Sequence, residues 1–371
     1  MALSKLSLVH QTVFADLVQR CADAAFEFPE NGSFLRVKSR GREFWYHSLR
    51  ARDSDTKIRT YVGPADDPAI NARIENFKQQ KVAWRDRWDV VKSLHAAGLV
   101  SPPAMVGNVV AAMARAGIFR LHGVLVGSLA FQTYAGLLGV KFPGAALMTA
   151  DIDFAQFHAV SVFVEDSLPP LIDLLRKVDP TYRQVPHIAD PAATIAFTNA
   201  SDLRIEFLTP NRGKDDYAGE PIRMPALGGA SAQALRFLDF LIRYPIDSVL
   251  LHQGGVAVKV PAPERYAVHK LIVATRRRKD RSGLAKIEKD LRQAGMLIEA
   301  MSQSGPAVEV GMVWAEAWDR GAKWQEALTL GKKRLRDEQK ALLDEAIREA
   351  AINLDRDPND DGVPPRTAAG P

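Results

Sequence analysis

Two aspartates two positions apart, Asp151 and Asp153, close the stretch that most constrains this chain, Gly123 to Phe154 (GVLVGSLAFQTYAGLLGVKFPGAALMTADIDF). It reads as a short buried strand at Val124-Leu-Val126, a tight Gly127-Ser128 turn, and an apolar helix from Leu129 to about Leu138. A Gly/Pro-broken loop and a second strand carrying Asp151-Ile-Asp153 follow. Residues two apart on a strand share a face, with Cα atoms roughly 6.6 Å apart at about 3.3 Å per residue. Ile152 and Phe154 then face a core while both carboxylates look outward together.

Two carboxylates so placed repel, and each has a raised pKa unless a cation sits between them. Mg²⁺ is usually held by one or two protein carboxylates together with substrate phosphates, so the pair points to phosphate chemistry rather than a closed structural site. The Gly127-Ser128 turn supplies a complement. A helix entered through Gly-Ser offers free backbone N–H groups and a positive dipole end, which suits a phosphate chain.

A Gly-Ser turn opening a helix, followed by hydrophobic-Asp-hydrophobic-Asp-hydrophobic on a strand, resembles the nucleotidyltransferase signature of the DNA polymerase β superfamily. The string Gly127-Ser-Leu-Ala-Phe131 is similar to that of its bacterial branch with the GSLAF motif. The resemblance covers roughly residues 119 to 300. It implies a third carboxylate on a neighbouring strand, and Glu206 in Leu203-Arg-Ile-Glu-Phe-Leu-Thr209 has the flanks for it, with Glu in place of the commoner Asp. The loop from Gly139 to Thr149 lengthens the gap between turn and acids relative to minimal members.

The resemblance implies an α+β fold with a mixed-sheet, polymerase β-like nucleotidyltransferase core. It also implies two Mg²⁺ ions, with Mn²⁺ as an alternative, held by Asp151, Asp153 and Glu206 as catalytic residues and metal ligands. A nucleoside triphosphate (NTP) is the implied donor, with Gly127 and Ser128 holding its phosphates. The wording Pro263-x-x-Tyr-x-x-x-Lys270 resembles the opening of the helical segment after the catalytic sheet, where a lysine reaches the triphosphate. Read from its surroundings alone, Lys270 is equally a lysine whose stem runs along Ala267, Leu271 and Ala274 and whose ammonium emerges at the edge.

At 371 residues the chain is long enough for two or three domains. A net charge of +5 allows an anionic partner without requiring one. One cysteine, Cys21, excludes an internal disulfide framework and a cysteine-based zinc site, which fits a reducing, cytoplasmic compartment. The first residues do not read as a secretory signal. Arg115, Arg120 and His122 break the most apolar region, so no membrane span is expected.

Four regions are expected in order. Residues 1–100 hold a helix (5 to 28, with Leu6, Val9, Val13, Leu17 and Cys21 as its apolar stripe), a small antiparallel sheet from Gly32 to Gly63, and a long helix. The sheet carries Arg36, Lys38, Arg40, Arg42, Arg50, Arg52, Lys57 and Arg59 with Trp45 and Tyr46 among them. It reads either as a nucleic-acid surface with bases stacked on rings or as a solvated sheet whose charges block edge pairing. The long helix has Ile70, Ile74, Phe77, Lys81, Trp84, Trp88 and Val91 at 4-3 spacing, a seam for a helix of this chain or of a second copy in a homodimer.

Residues 101–260 form the nucleotidyltransferase core. It has a helix from Ala104 to Arg115 stopped by Gly117, one near Leu168 to Val178, and strands at Tyr182-Val185, Thr194-Thr198 and Leu203-Leu208. A helix from Gln233 to Arg243 and a hairpin from Ser248 to Val260 complete it. Asn211 to Asp216 is a polar loop that borders the site or is a surface turn. Residues 261–350 form a helical domain opened by Pro261-Ala-Pro263, with a basic run at Arg276-Arg-Arg-Lys279, Arg281, Lys286, Lys289 and Arg292 that is either polyanion contact or solvated face. Trp314, Trp318 and Trp324 read as packing residues, and Lys332 to Ala351 as one amphipathic helix.

Residues 351–371 read as a disordered tail. Asp357-x-Asn359-x-Asp361-Gly362 matches half of a calcium loop, but Ala368 stands where the bidentate Glu belongs. The expected activity is transfer of a nucleoside monophosphate (NMP) to a hydroxyl of an acceptor, which the sequence leaves open among tRNA or other nucleic acid, protein and small molecule. The competing expectation is a non-catalytic nucleic-acid-binding or regulatory protein on the same scaffold.

Overall fold

The chain begins with strand β1 (Ser4–Lys5) and helix α1 (Leu8–Asp23) in a computed structural model that describes residues 3–24, 33–39, 42–50, 57–143, 151–164, 167–188, 190–211, 220–277, 280–305 and 307–363. The Ser7 hydroxyl caps α1 by accepting from the His10 amide. The buried face of α1 is Phe14, Leu17 and Cys21, while Val9, expected in the stripe, is 69 % exposed. The neighbouring helix decides this rotation. Phe14 fills space left open by Gly136, where a Cβ would lie 2.1 Å from the ring.

Strands β2 (Ser33–Ser39), β3 (Arg42–Arg50) and β4 (Lys57–Pro64) form the expected antiparallel sheet, in that order. The turns expected at Arg40-Gly41 and around Asp53-Ser54 lie outside the described residues. Trp45 is not offered as a stacking platform. It is buried, its indole N–H donates to Asn71 Oδ1 at 2.9 Å, and the Arg36 guanidinium lies 4.7 Å from its ring centroid.

Helix α2 (Pro68–Ala96) is capped by Asp67, which accepts from the Ala69 amide, and has Pro68 at its first position. Its seam is used within the chain. Phe77 meets Phe34 of the small sheet edge-on at 5.0 Å, and Val91 and Leu94 enter the main core at the other end.

Helix α3 (Ala104–Ala116) ends at Gly117, φ +101°, as expected. Then come β5 (Val124–Val126), α4 (Gly127–Leu137), β6 (Val140–Lys141), β7 (Asp151–Ala155), α5 (His158–Phe163) and α6 (Leu171–Val178). Strands β8 (Arg183–Pro186), β9 (Thr194–Thr198), β10 (Arg204–Pro210), β11 (Pro221–Arg223) and β12 (Ser231–Leu235) follow. Short helix α7 (Leu238–Leu241) precedes the hairpin β13 (Ile246–Leu250) and β14 (Val256–Val260). The main sheet runs β11-β12-β10-β7-β5, with β8 and β9 attached to β10. Strand β10 is parallel to both β7 and β12, and the other pairings are antiparallel.

The helix expected over Gln233 to Arg243 is corrected. Gln233 instead pairs with Leu208 in the sheet, and only Leu238–Leu241 is helical. Ala232 and Ala234 are buried, so the open side of β10 overrides a local periodicity that favours helix.

The C-terminal part comprises α8 (Pro263–Arg276), α9 (Arg281–Ser304), α10 (Ala307–Trp318), α11 (Ala322–Lys333) and α12 (Asp337–Asn353). The helix expected from Lys332 to Ala351 is two helices, broken where Leu335 turns into the core. The start of the expected disordered tail is packed as well. Pro358–Asp361 forms a 3-10 turn, Val363 is fully buried, and the Trp314 indole donates to the Asp361 carbonyl at 3.0 Å.

The result is a mixed-sheet α+β fold. One continuous hydrophobic cluster takes in Leu17 of α1, Leu94 of α2, Phe154 and Phe207 of the sheet, and Leu297 and Leu343 of the C-terminal helices. This cluster includes residues on both sides of the positions expected as divisions, 100 and 260. Among the described residues no helix is long and apolar enough to cross a membrane.

Candidate active site

Register brings the three expected acids to neighbouring positions. On the parallel strands β7 and β10, Asp153 stands opposite Glu206 and Asp151 opposite Arg204, and adjacent strands lie about 4.8 Å apart. Ile152, Phe154, Ile205 and Phe207 point the other way and are buried, with Phe154 and Phe207 stacked at 6.0 Å. Alternation along two strands thus forces the acids to the opposite face.

On the other side of β7, Val126 pairs with Asp153 and hands the chain directly to Gly127. Gly127 has φ +67°, and a Cβ there would lie 2.5 Å from Asp153 Oδ2. Only glycine lets the turn approach the carboxylate this closely. Helix α4 starts at this turn with no side-chain cap and no acid in its first turn, and Ser128 is half-buried beside it.

Burial pushes the Asp153 carboxyl up to about 7, with Glu206 and Asp151 pushing in the same direction and Lys270 and Lys286 opposing them. Three acids at one place lack sufficient counter-charge, the condition a divalent cation relieves. The donor set is all carboxylate, which suits Mg²⁺ or Mn²⁺. Among the described residues no three His, Cys, Asp or Glu side chains form a ready-made metal cage. Arg204 occupies part of that role, its Nε lying 2.5 Å from Glu206 Oε1.

Lys270 sits on α8, whose start at Pro263 and Glu264 follows the expected signals. Its ammonium is buried and donates to Asp290 Oδ1 of α9 at 2.5 Å. Arg277 Nε donates to the other oxygen, Oδ2, at 2.9 Å. Burial alone would raise the Asp290 carboxyl, but the two cations outweigh it and hold it below its ordinary range. One turn before Lys270, the Tyr266 hydroxyl donates to the Gly127 carbonyl at 2.9 Å and lies 3.0 Å from Gln293 Oε1. Lys289, next to Asp290 on α9, is close enough to feel the same groups. Its pKa is lowered by burial and by Lys270, while Asp290, Asp151 and Asp153 pull the other way.

Tyr266, Asp290 and Gln293 were not foreseen as site residues. Tyr266 stands in the string that pointed to Lys270, and Asp290 is an acid inside the basic stretch of α9, a mismatch that could have marked it. The basic run itself divides. Arg276 lies over the Phe237 ring, Arg277 joins Asp290, and Arg278 and Lys279 lie outside the described residues. The loop expected over Asn211 to Asp216 also lies outside them beyond Asn211.

A cavity of about 280 Å³ opens on the side of Glu206 away from Asp153, where β9 and β12 diverge along β10. His187, Ile188, Arg204, Glu206, Glu220 and Gln233 are among its walls. A second cavity, of about 630 Å³, has none of the three acids in its walls and lies around Glu264, Glu309 and the Arg265–Glu316 ion pair.

A family model described as Nucleotidyltransferase matches residues 104–319, more than half of the chain. The chain belongs to this nucleotidyltransferase family. No curated protein and no solved structure matches it. The matched part of the nucleotidyltransferase runs from the first residue of α3 to the end of α10 and contains Gly127, Ser128, Asp151, Asp153, Glu206 and Lys270. The small sheet and most of α1 and α2 lie before it.

Proposed function

We propose that this nucleotidyltransferase moves an NMP group from an NTP to a hydroxyl of an acceptor and releases pyrophosphate. The observation that carries the reading is the pairing of Asp153 with Glu206 on parallel strands, with the Gly127 turn on the far side of Asp153. The string Gly127-Ser-Leu-Ala-Phe131 supports placing it in the GSLAF branch.

In this reading Asp151, Asp153 and Glu206 hold Mg²⁺, with Mn²⁺ as an alternative. Ions held there would supply charge neutralisation of the triphosphate and a lowered pKa for the acceptor hydroxyl. The Gly127 and Ser128 amides and the Ser128 hydroxyl hold phosphate oxygens at the start of α4. Lys270 adds positive charge on the α8 side. The acceptor oxygen bonds to the α-phosphorus, the α–β phosphoanhydride bond breaks, and the hydroxyl proton leaves to solvent. The cavity beside Glu206 suits the acceptor, because sheet order puts it opposite the turn assigned to the phosphates.

The single cysteine, Cys21, fits a reducing, cytoplasmic setting, and burial pushes its thiol up to about 11, so it takes no part in the transfer. Mass analysis of RNA, protein and metabolite fractions from cells overproducing the protein tests the reading. One fraction is expected to gain species heavier by one nucleotide. No such gain beyond that of an Asp151→Asn, Asp153→Asn double variant would count against it.

A further inference from the structure

A line of direct contacts leads from the turn assigned to the phosphates to Arg277, just past the end of α8. The Gly127 carbonyl accepts from the Tyr266 hydroxyl at 2.9 Å. The Lys270 ammonium, one helical turn on, lies 5.2 Å from the Tyr266 ring centroid. It donates to Asp290 Oδ1, and Asp290 Oδ2 accepts from Arg277 Nε. The α8–α9 pair is thereby held against the Gly127 turn.

The charge along this line does not balance. Asp290 is 2 % exposed and is shared by two cations, one positive charge more than that carboxylate offsets, with Lys289 beside them and Asp151 and Asp153 opposing. A buried charge is costly unless paired, and Lys270 has its partner in Asp290. The excess emerges where the cluster meets solvent, at Arg277, whose side chain is 36 % exposed against 11 % for that of Lys270. Asp290 engages only Nε. The two terminal amino groups of the guanidinium keep four N–H donors in the fork that matches a phosphate. Arg276 next door lies over the Phe237 ring instead.

We infer that Arg277 binds the triphosphate tail of the donor and that Asp290 is the positioning residue that holds Arg277 and Lys270 in place for it. This rests on the nucleotide-transfer reading and adds to it the groups that grip the far end of the tail.

Inorganic tripolyphosphate with Mg²⁺ serves as the probe, because it carries the tail without base or sugar. Its affinity for the full chain is measured by calorimetry beside that of ATP, with thermal unfolding as a check on folding. Arg277→Met is expected to bind both probes about tenfold more weakly, the scale of one charge-assisted hydrogen bond. Arg277→Lys, which keeps the charge and loses the fork, is expected to fall between. Asp290→Asn is expected to weaken both probes although Arg277 is intact, and Asp290→Glu to recover part of the loss. If Asp290→Asn fails to fold, the Arg277 variants carry the test.

A purely structural ion pair would lower the unfolding temperature of Arg277→Met and leave tripolyphosphate affinity unchanged, which would overturn the inference. A wild-type protein that binds neither probe would overturn the nucleotide-transfer reading and this inference with it. Binding by wild type and Arg277→Met alike would overturn this inference and leave the nucleotide-transfer reading standing.

Discussion

Gly127 and Asp153 are so close that the Cβ glycine lacks would lie 2.5 Å from the Asp153 carboxylate. The contact follows from register, because Val126 pairs with Asp153 and the next residue must turn with φ +67°. Gly127→Ala therefore strains the backbone by about 1–2 kcal/mol and pushes the acid aside. The expected result is a folded protein with label transfer reduced about a hundredfold, the scale of a roughly 1 Å misplacement in a site. Transfer assays beside thermal unfolding check it. Retained activity would mean that the turn and the acid do not work together.

Arg204 and Glu206 predict a competition. Both side chains are partly exposed, so the ion pair is worth about 0–1 kcal/mol to folding. Arg204→Ala should thus leave the unfolding temperature without metal nearly unchanged. The same change should lower the Mg²⁺ concentration needed for half-maximal stabilisation, because Glu206 loses a competing partner. Weaker Mg²⁺ binding in that variant would show that Arg204 supports the metal site rather than competing with it.

Asp153 predicts how metal binding follows pH. Its folded pKa, about 7, lies above the ordinary 3.8. Between those values the folded state keeps a proton that the unfolded chain has lost, so without metal its contribution to stability declines as pH rises across that window. Mg²⁺ needs the ionised form, so its affinity should rise with pH through about 7 with release of a proton. Calorimetry in buffers of different ionisation enthalpy measures that proton, and Asp153→Asn should abolish the release.

His269 has the opposite sign. Burial, then the neighbouring Lys270 ammonium, depress its pKa from 6.5 to about 3, with Asp290 opposing and Arg277 adding to the fall. The unfolded chain binds a proton there that the folded state refuses, so stability should drop as pH falls from about 6.5 toward 3. His269→Gln should flatten that slope. The difference between the two unfolding series isolates His269 from Asp153 and other groups.

The parts of the site legible in the sequence are those fixed by local rules. Alternation on a strand puts Asp151 and Asp153 on one face, and the hydrophobic flanks of Glu206 mark a second such strand. The Gly127-Ser128 turn and the Pro263 helix start are local signals too. The pairing of Glu206 with Asp153 is a long-range register that no local pattern encodes. Asp290 was hidden for a related reason, since its partners Lys270 and Arg277 come from the preceding helix and only the packing of α8 on α9 joins them. Elsewhere, tertiary demand overrode local preference. Gln233 and its neighbours joined β10 instead of forming a helix, Phe14 displaced Val9 from the buried stripe, and Trp45 became a packing residue of the small sheet.

The most direct test of the account is transfer of α-labelled phosphate from each of the four NTPs to RNA, protein and small-molecule fractions, with and without Mg²⁺. The account predicts label that requires Mg²⁺ and disappears in the Asp151→Asn, Asp153→Asn double variant while the variant stays folded. Label that survives in the double variant would contradict it.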